Sequence, residues 1–205
     1  MQMPRRACVI GATLLALVPA TAVGFPAVFR PVADNPADRL ANLPIEDYRY
    51  DHARRCTKHP KAGTLALQRW LGAHAAGESW GIMRCSKLDG RDYSLHAEGR
   101  ALDWHLDARN PADRRAGDRL IRTLLAPDRA GNPHALARRM GVQEIIWDCR
   151  AWWSGSDRAL RYSACYSKRG KRRRHVDATI AHFDHIHIGL NKMGAARLTS
   201  FWQSR

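Results

Sequence analysis

The sequence predicts an α+β domain. Two observations carry this: three segments place apolar residues at helical spacing, and three short runs with strand character lie between and after them. The first helix is expected from Thr64 to Ala75, where Leu67, Trp70 and Leu71 fall on one face. A strand is expected from Arg100 to Leu106, with Leu102, Trp104 and Leu106 on one side and Ala101, Asp103 and His105 on the other. Asn110-Pro111 reads as a helix cap followed by proline in the first turn, and Leu120, Ile121, Leu124 and Leu125 continue an apolar stripe until Pro127 stops it. The same pair at Asn132-Pro133 predicts a third helix, with Leu136 and Met140 inward and Gly141 at its end. Val142 to Trp147 and His185 to Leu190 complete the strands; in the latter, Ile186 and Ile188 alternate with His185 and His187.

A chain of 205 residues, 45% hydrophobic and 26% charged, is long enough for one packed domain and excludes wholesale disorder. Its first residues read as a signal peptide over 1–22: Arg5-Arg6, an apolar run from Ala7 to Ala20, then Ala20-Thr21-Ala22 as a small-residue cleavage pattern. Gly11 and Pro19 interrupt that run, which falls short of the roughly 20 apolar residues of a spanning helix, so no transmembrane helix is expected in the mature chain. The expected location is extracytoplasmic, in the cell wall or periplasm. Removal of the leader takes Arg5 and Arg6 with it and lowers the formal charge from +15 to +13. Residues 23–45, with Pro26, Pro31 and Pro36, read as an extended linker without a core, leaving 46–205 as the domain. Four cysteines remain in an oxidising compartment, and no Cys-x-x-Cys pair suggests a zinc ribbon. Of the three possible pairings, Cys56 with Cys85 and Cys149 with Cys165 is favoured, because each pair brackets one local segment.

Two clusters hold the chemistry: Ser94 to Asp103, and His182-Phe183-Asp184-His185-Ile186-His187. An imidazole, a carboxylate and a second imidazole supply three ligands to zinc and leave a position open for water, the arrangement that separates a catalytic site from a closed structural one. Zinc lowers the pKa of such a water to about 7. The alternation in Arg100 to Leu106 turns Asp103 away from the apolar layer, and Gly99 lets the chain turn between His96 and the strand. His52, His59, His74 and His134 read as surface or internally satisfied residues; His105, His175 and His182 each lie near a cluster.

Ser94-x-His96-x-x-Gly99-x-Ala101-x-Asp103 resembles the SxHxxGxAxD motif of the D-Ala-D-Ala carboxypeptidase and dipeptidase family, and Asp184-His185-Ile186-His187 resembles its closing zinc motif. The similarity spans roughly residues 78 to 190. It implies the hedgehog/DD-peptidase-like fold, a small mostly antiparallel sheet with packed helices, and one Zn2+ held by His96, Asp103 and His187. Asp184 stands where the carboxypeptidases carry their general-base glutamate, one methylene shorter. The resemblance therefore makes Asp184 the base and His185 an oxyanion stabiliser. The His-x-His pattern of murein endopeptidases offers His185 as base instead, and strand alternation favours it unless the strand begins after Asp184. Arg84, in Gly81-Ile82-Met83-Arg84, matches the family arginine that engages a substrate carbonyl or carboxylate. Ser94 orients His96 or touches substrate.

The implied activity is hydrolysis of a peptide bond of bacterial peptidoglycan. A D-Ala-D-Ala terminus, an L-Ala-D-Glu bond and an interpeptide crosslink all stay open as substrates. The alternative is a non-catalytic zinc domain that binds wall polymers or a protein partner, as in the hedgehog signalling domain. Lys168 to Arg174 is a basic loop between the last two strands. No nucleic-acid module accompanies it, and in an exported chain its charge suits anionic wall polymers.

Overall fold

The computed structural model describes residues 33–87 and 93–204. The expected signal peptide and the first part of the expected linker lie outside the described residues.

The core is built by strands that are apolar on one face and helices that cover it. Strands β1 (Glu78–Gly81), β2 (Ala101–His105), β3 (Val142–Trp147), β4 (Arg150–Trp153), β5 (Leu160–Arg161) and β6 (His185–Leu190) form one antiparallel sheet in the order β1-β2-β6-β3-β4-β5. In its register Leu102 lies opposite Ile188, Trp104 opposite Ile186, and Ile145 opposite both Ile188 and Trp152. These residues are buried and pack with Leu67, Trp70 and Leu71 of α1 (Ala62–His74), Leu120 and Leu124 of α2 (Pro111–Leu125), and Leu136 of α3 (Ala135–Met140). Two short C-terminal helices, α4 (Lys192–Ala195) and α5 (Ser200–Gln203), add Phe201 and Trp202 to the same core. The α+β reading holds, and the three expected strands lie within a residue or two of their predicted bounds. Trp147 is core, as its apolar neighbours suggest.

Local chemistry explains most helix ends. Asn110 accepts hydrogen bonds from the backbone N–H of Ala112 (2.8 Å) and Asp113 (3.4 Å), with Pro111 in the first turn. At the third helix the expected device fails. Asn132 does not cap it; its amide donates to both carboxylate oxygens of Asp128, and the helix starts after His134, at φ 53°. Gly141, at φ 74°, closes the helix as expected.

The expected linker needs correction in its described part. Ala37 and Leu40 are buried in the core, and Asn35 donates to the carbonyl of Pro127. Fully buried Arg139 explains why this segment is held: it pairs with Asp128 (3.4 Å) and donates to the carbonyls of Leu43 and Pro44. Proline content misled on both counts, since a 3-10 turn, Asp38–Leu40, forms here and packs on the core. Both expected disulfides form, Cys56–Cys85 and Cys149–Cys165. Among the described residues no helix is long and apolar enough to cross a membrane.

Candidate metal centre

The polar face of the sheet carries the site. β2 and β6 pair so that Asp103 lies directly opposite His187, and His105 opposite His185. Since side chains alternate, all four project from the face opposite the Leu102–Ile188 layer. His96 arrives from a 3-10 turn, Leu95–Glu98, which Ser94 caps by accepting from the His96 N–H (3.4 Å). Gly99 ends that turn at φ 66°, where an added Cβ would collide with the His59 carbonyl. Buried Arg100 fastens the turn to the sheet through Glu98 (2.9 Å) and the carbonyls of Leu190 and Asp51.

His96, Asp103 and His187 are all buried, with one ligand atom from each lying within 4.8 Å of the others. His96 Nε2 is 3.0 Å from Asp103 Oδ1 and 3.1 Å from His187 Nδ1, which is itself 3.2 Å from Asp103 Oδ1. Tetrahedral zinc with bonds of about 2.0–2.1 Å separates its ligands by about 3.3 Å, so the set fits that ion with shifts of a few tenths of an ångström. The outer atoms are held as well. His96 Nδ1 donates to the Ile82 carbonyl (2.8 Å), which leaves Nε2 as a lone pair facing inward. His187 Nε2 faces Glu144 at 3.5 Å, and Glu144 accepts from the Tyr50 hydroxyl at 2.6 Å. With His187 protonated on that outer nitrogen, three acceptors converge, and only a cation or an added proton balances them.

The electrostatics agree. Burial alone would raise the Asp103 carboxyl, but the adjoining imidazoles of His187 and His96 hold it far below the usual carboxylate range. Burial pushes His96 below the ordinary imidazole value. Burial opposes charge on His187 too, yet the neighbouring Asp103 and Glu144 carry its pKa upward.

Asp184 and His185, the two candidates for the base, differ in what they touch. β6 begins at His185, after Asp184, so strand alternation does not choose between the two and their contacts do; Asp184 sits in the preceding turn. Both of its oxygens are engaged there: Oδ1 by His185 Nδ1 (2.8 Å) and Oδ2 by the Thr179 hydroxyl (2.7 Å). His185 is the residue turned to the ligands, its Nε2 3.5 Å from Asp103 Oδ1. Burial would raise Asp184, but its bonds from Thr179 and His185 keep it ionised below the ordinary value. Asp184 is thus placed to orient His185 rather than to reach the ligand set. Arg84 lies at the rim, half exposed, 3.4 Å from Asp103 Oδ2. Ser94 is placed to orient His96.

Three neighbours escaped the sequence reading, Glu144, Tyr162 and Trp80, and His182, which it set near a cluster, joins them. Glu144 is the single acid in an apolar strand, a signal that was available. His182, held at φ 55°, packs its ring 4.6 Å from His185 and 5.9 Å from His187; burial and those two rings drive its pKa down to about 3. Tyr162 meets His182 edge-on. Trp80, half exposed on edge strand β1, stacks on His105 at 4.1 Å, while His105 Nδ1 bonds the Asp184 carbonyl at 2.8 Å. His74 and His134 have partners within the fold, at Trp70 O and the Tyr48 hydroxyl.

Fold and site together define an α+β domain with a two-histidine, one-aspartate candidate metal centre. Residues 56–176 match the family model described as VldE, C-terminal domain, over more than half of the chain, and the chain belongs to that family. The match spans both disulfides, His96, Asp103 and Glu144, and ends ahead of the 182–187 cluster. No curated protein and no solved structure gives a significant match.

Proposed function

We propose that this chain is an exported zinc peptidase of the hedgehog/DD-peptidase type that hydrolyses a peptide bond of bacterial cell-wall peptidoglycan. The observation that carries the reading is the convergence of His96, Asp103 and His187 beside a histidine, His185, whose far nitrogen is locked by a carboxylate. An extracytoplasmic location is supported by the two disulfides and by the absence, among the described residues, of a membrane-crossing helix.

His96, Asp103 and His187 would hold the ion. Bound there, zinc supplies Lewis acidity, polarising a carbonyl and making water a nucleophile at neutral pH. The remaining work falls to the chain. His185 donates through Nδ1 to Asp184, so Nε2 is the free acceptor on the ligand side. That atom takes the proton of the attacking water and returns it to the departing amine. Asp184 and Thr179 fix the tautomer and ring plane. Arg84, at the rim, neutralises charge that develops on the carbonyl oxygen. Trp80 and His105 form an aromatic wall alongside, suited to hold the substrate chain.

The test is incubation of the zinc-loaded chain with peptidoglycan fragments offering the D-Ala-D-Ala, L-Ala-D-Glu and crosslink bonds, with products read by mass spectrometry. The parent is expected to cleave one class, and His185→Ala to lose about 10²–10⁴-fold in rate with zinc retained. A zinc-loaded parent that cleaves none of the three would leave the non-catalytic zinc domain instead.

A further inference from the structure

A second concave and strongly charged place adjoins the metal centre. Arg172, Arg173, Arg174 and His175 line a cavity of about 770 Å³ together with Phe183 and Cys149. The basic run is therefore more than a solvated loop. Its ends are pinned: Cys165 is joined to Cys149, Arg173 N–H donates to the Cys165 carbonyl (2.9 Å), and Tyr166 pairs with Arg172 across a turn closed between Ser167 and Lys171 (2.8 Å). Three arginines thus meet round one space, with the Arg172 guanidinium near the Phe183 ring and Arg173 Nε donating to the Tyr166 carbonyl at 3.2 Å.

Among the described residues no acid forms an ion pair with Arg172, Arg173 or Arg174. The acid in the cavity wall, Asp177, directs Oδ1 at the backbone N–H groups of Thr179 and Ile180, both at 3.0 Å. The Arg172 guanidinium lies 5.9 Å from the Phe183 ring, so an apolar surface and cationic donors border the same space. Guanidinium groups so arranged bind carboxylates through paired hydrogen bonds. Phe183 directly precedes Asp184 and His185, so the segment that lines the cavity runs straight into the metal centre.

We propose that this cavity is a carboxylate subsite, which takes a free acidic group of the peptide whose bond lies at the metal centre. The proposal rests on the peptidase reading for its substrate. It gives that substrate a required feature: a carboxylate set apart from the cleaved bond.

The test uses the full exported chain, zinc-loaded and carrying His185→Ala to prevent turnover. Its probe is a fluorescein-labelled acidic stem peptide, compared by anisotropy with the same peptide amidated at its free carboxylates. The acidic form is expected to bind about tenfold more tightly, and Arg172→Gln with Arg174→Gln to erase that difference without altering zinc content or affinity for the amidated form. Equal affinity of the unsubstituted arginine site for both peptides overturns the proposal, and needs no variant that might misfold. Binding of a poly(glycerol phosphate) chain without discrimination between the peptides also overturns it, in favour of polymer anchoring. Failure of the peptidase reading shows separately, as absence of hydrolysis by the parent, and leaves the binding comparison in force.

Discussion

Substitution of Asp184 separates the two assignments of the general base. Asp184 accepts from His185 Nδ1 at 2.8 Å and from the Thr179 hydroxyl at 2.7 Å. Asparagine can satisfy both partners, since its carbonyl still accepts from Nδ1–H and its amide donates to a rotated Thr179 hydroxyl. The imidazole keeps its tautomer and loses only the charge assistance. A hydrogen bond to a charged group is worth about 1.5–3 kcal/mol and a neutral one about 0.5–1.5, so the change costs about 1.5 kcal/mol, or about tenfold in rate. Asp184→Ala removes the whole interaction, and the loss rises to about 10–150-fold. The assay is kcat for cleavage of a peptidoglycan fragment by zinc-loaded protein, with metal content measured on the same samples. Parent, asparagine and alanine should rank in that order. If asparagine and alanine abolish activity equally, by about 10⁴-fold, Asp184 is itself the base and the orienting role is wrong. If neither changes the rate, His185 does not depend on Asp184 at all.

Further consequences concern stability. Gly99→Ala forces a left-handed φ of 66° on a residue with a Cβ and drives that Cβ at the His59 carbonyl, so thermal melting should show a loss above the roughly 1–2 kcal/mol of the conformation alone. Burial would raise Asp128 and Glu98, but hydrogen bonds from Asn132 to the first, and from the Arg54 backbone and Arg100 to the second, outweigh it and depress both. Depressed folded-state values mean that this stability is present above the ordinary values of 3.8 and 4.5 and is lost as pH falls below them; urea midpoints should drop between pH 6 and pH 3, and less steeply in Glu98→Gln. Reduction of Cys149–Cys165, which closes a separation of 16 residues, should cost about 3 kcal/mol and loosen the basic run, measured by denaturation with and without reductant and by proteolysis after Arg172 to Arg174.

Much of this molecule was legible because it rests on periodicity. The alternation of Ile186 and Ile188 with His185 and His187 sorts one face into the core and the other into the site, and pairing β2 with β6 then places Asp103 opposite His187 without further information. Cysteine spacing and the Asn110-Pro111 cap were equally local. What escaped depends on long-range partners. Asn132 looked like a cap until Asp128 claimed its amide. The 33–45 segment looked like a linker because its packing is supplied by Arg139, about a hundred residues away in sequence. The contacts of Asp184 with His185 and Thr179 form in the turn ahead of β6, where alternation says nothing about which way a side chain points. The basic run gave no sign of a cavity, since the disulfide that shapes it acts through the fold.

The most direct test of the account is the zinc content of the purified, folded chain by elemental analysis, for the parent and for His96→Ala and His187→Ala. The account predicts close to one zinc per parent chain and little in either variant; a folded parent that takes up no zinc when supplied with it would contradict the metal centre and the peptidase built upon it.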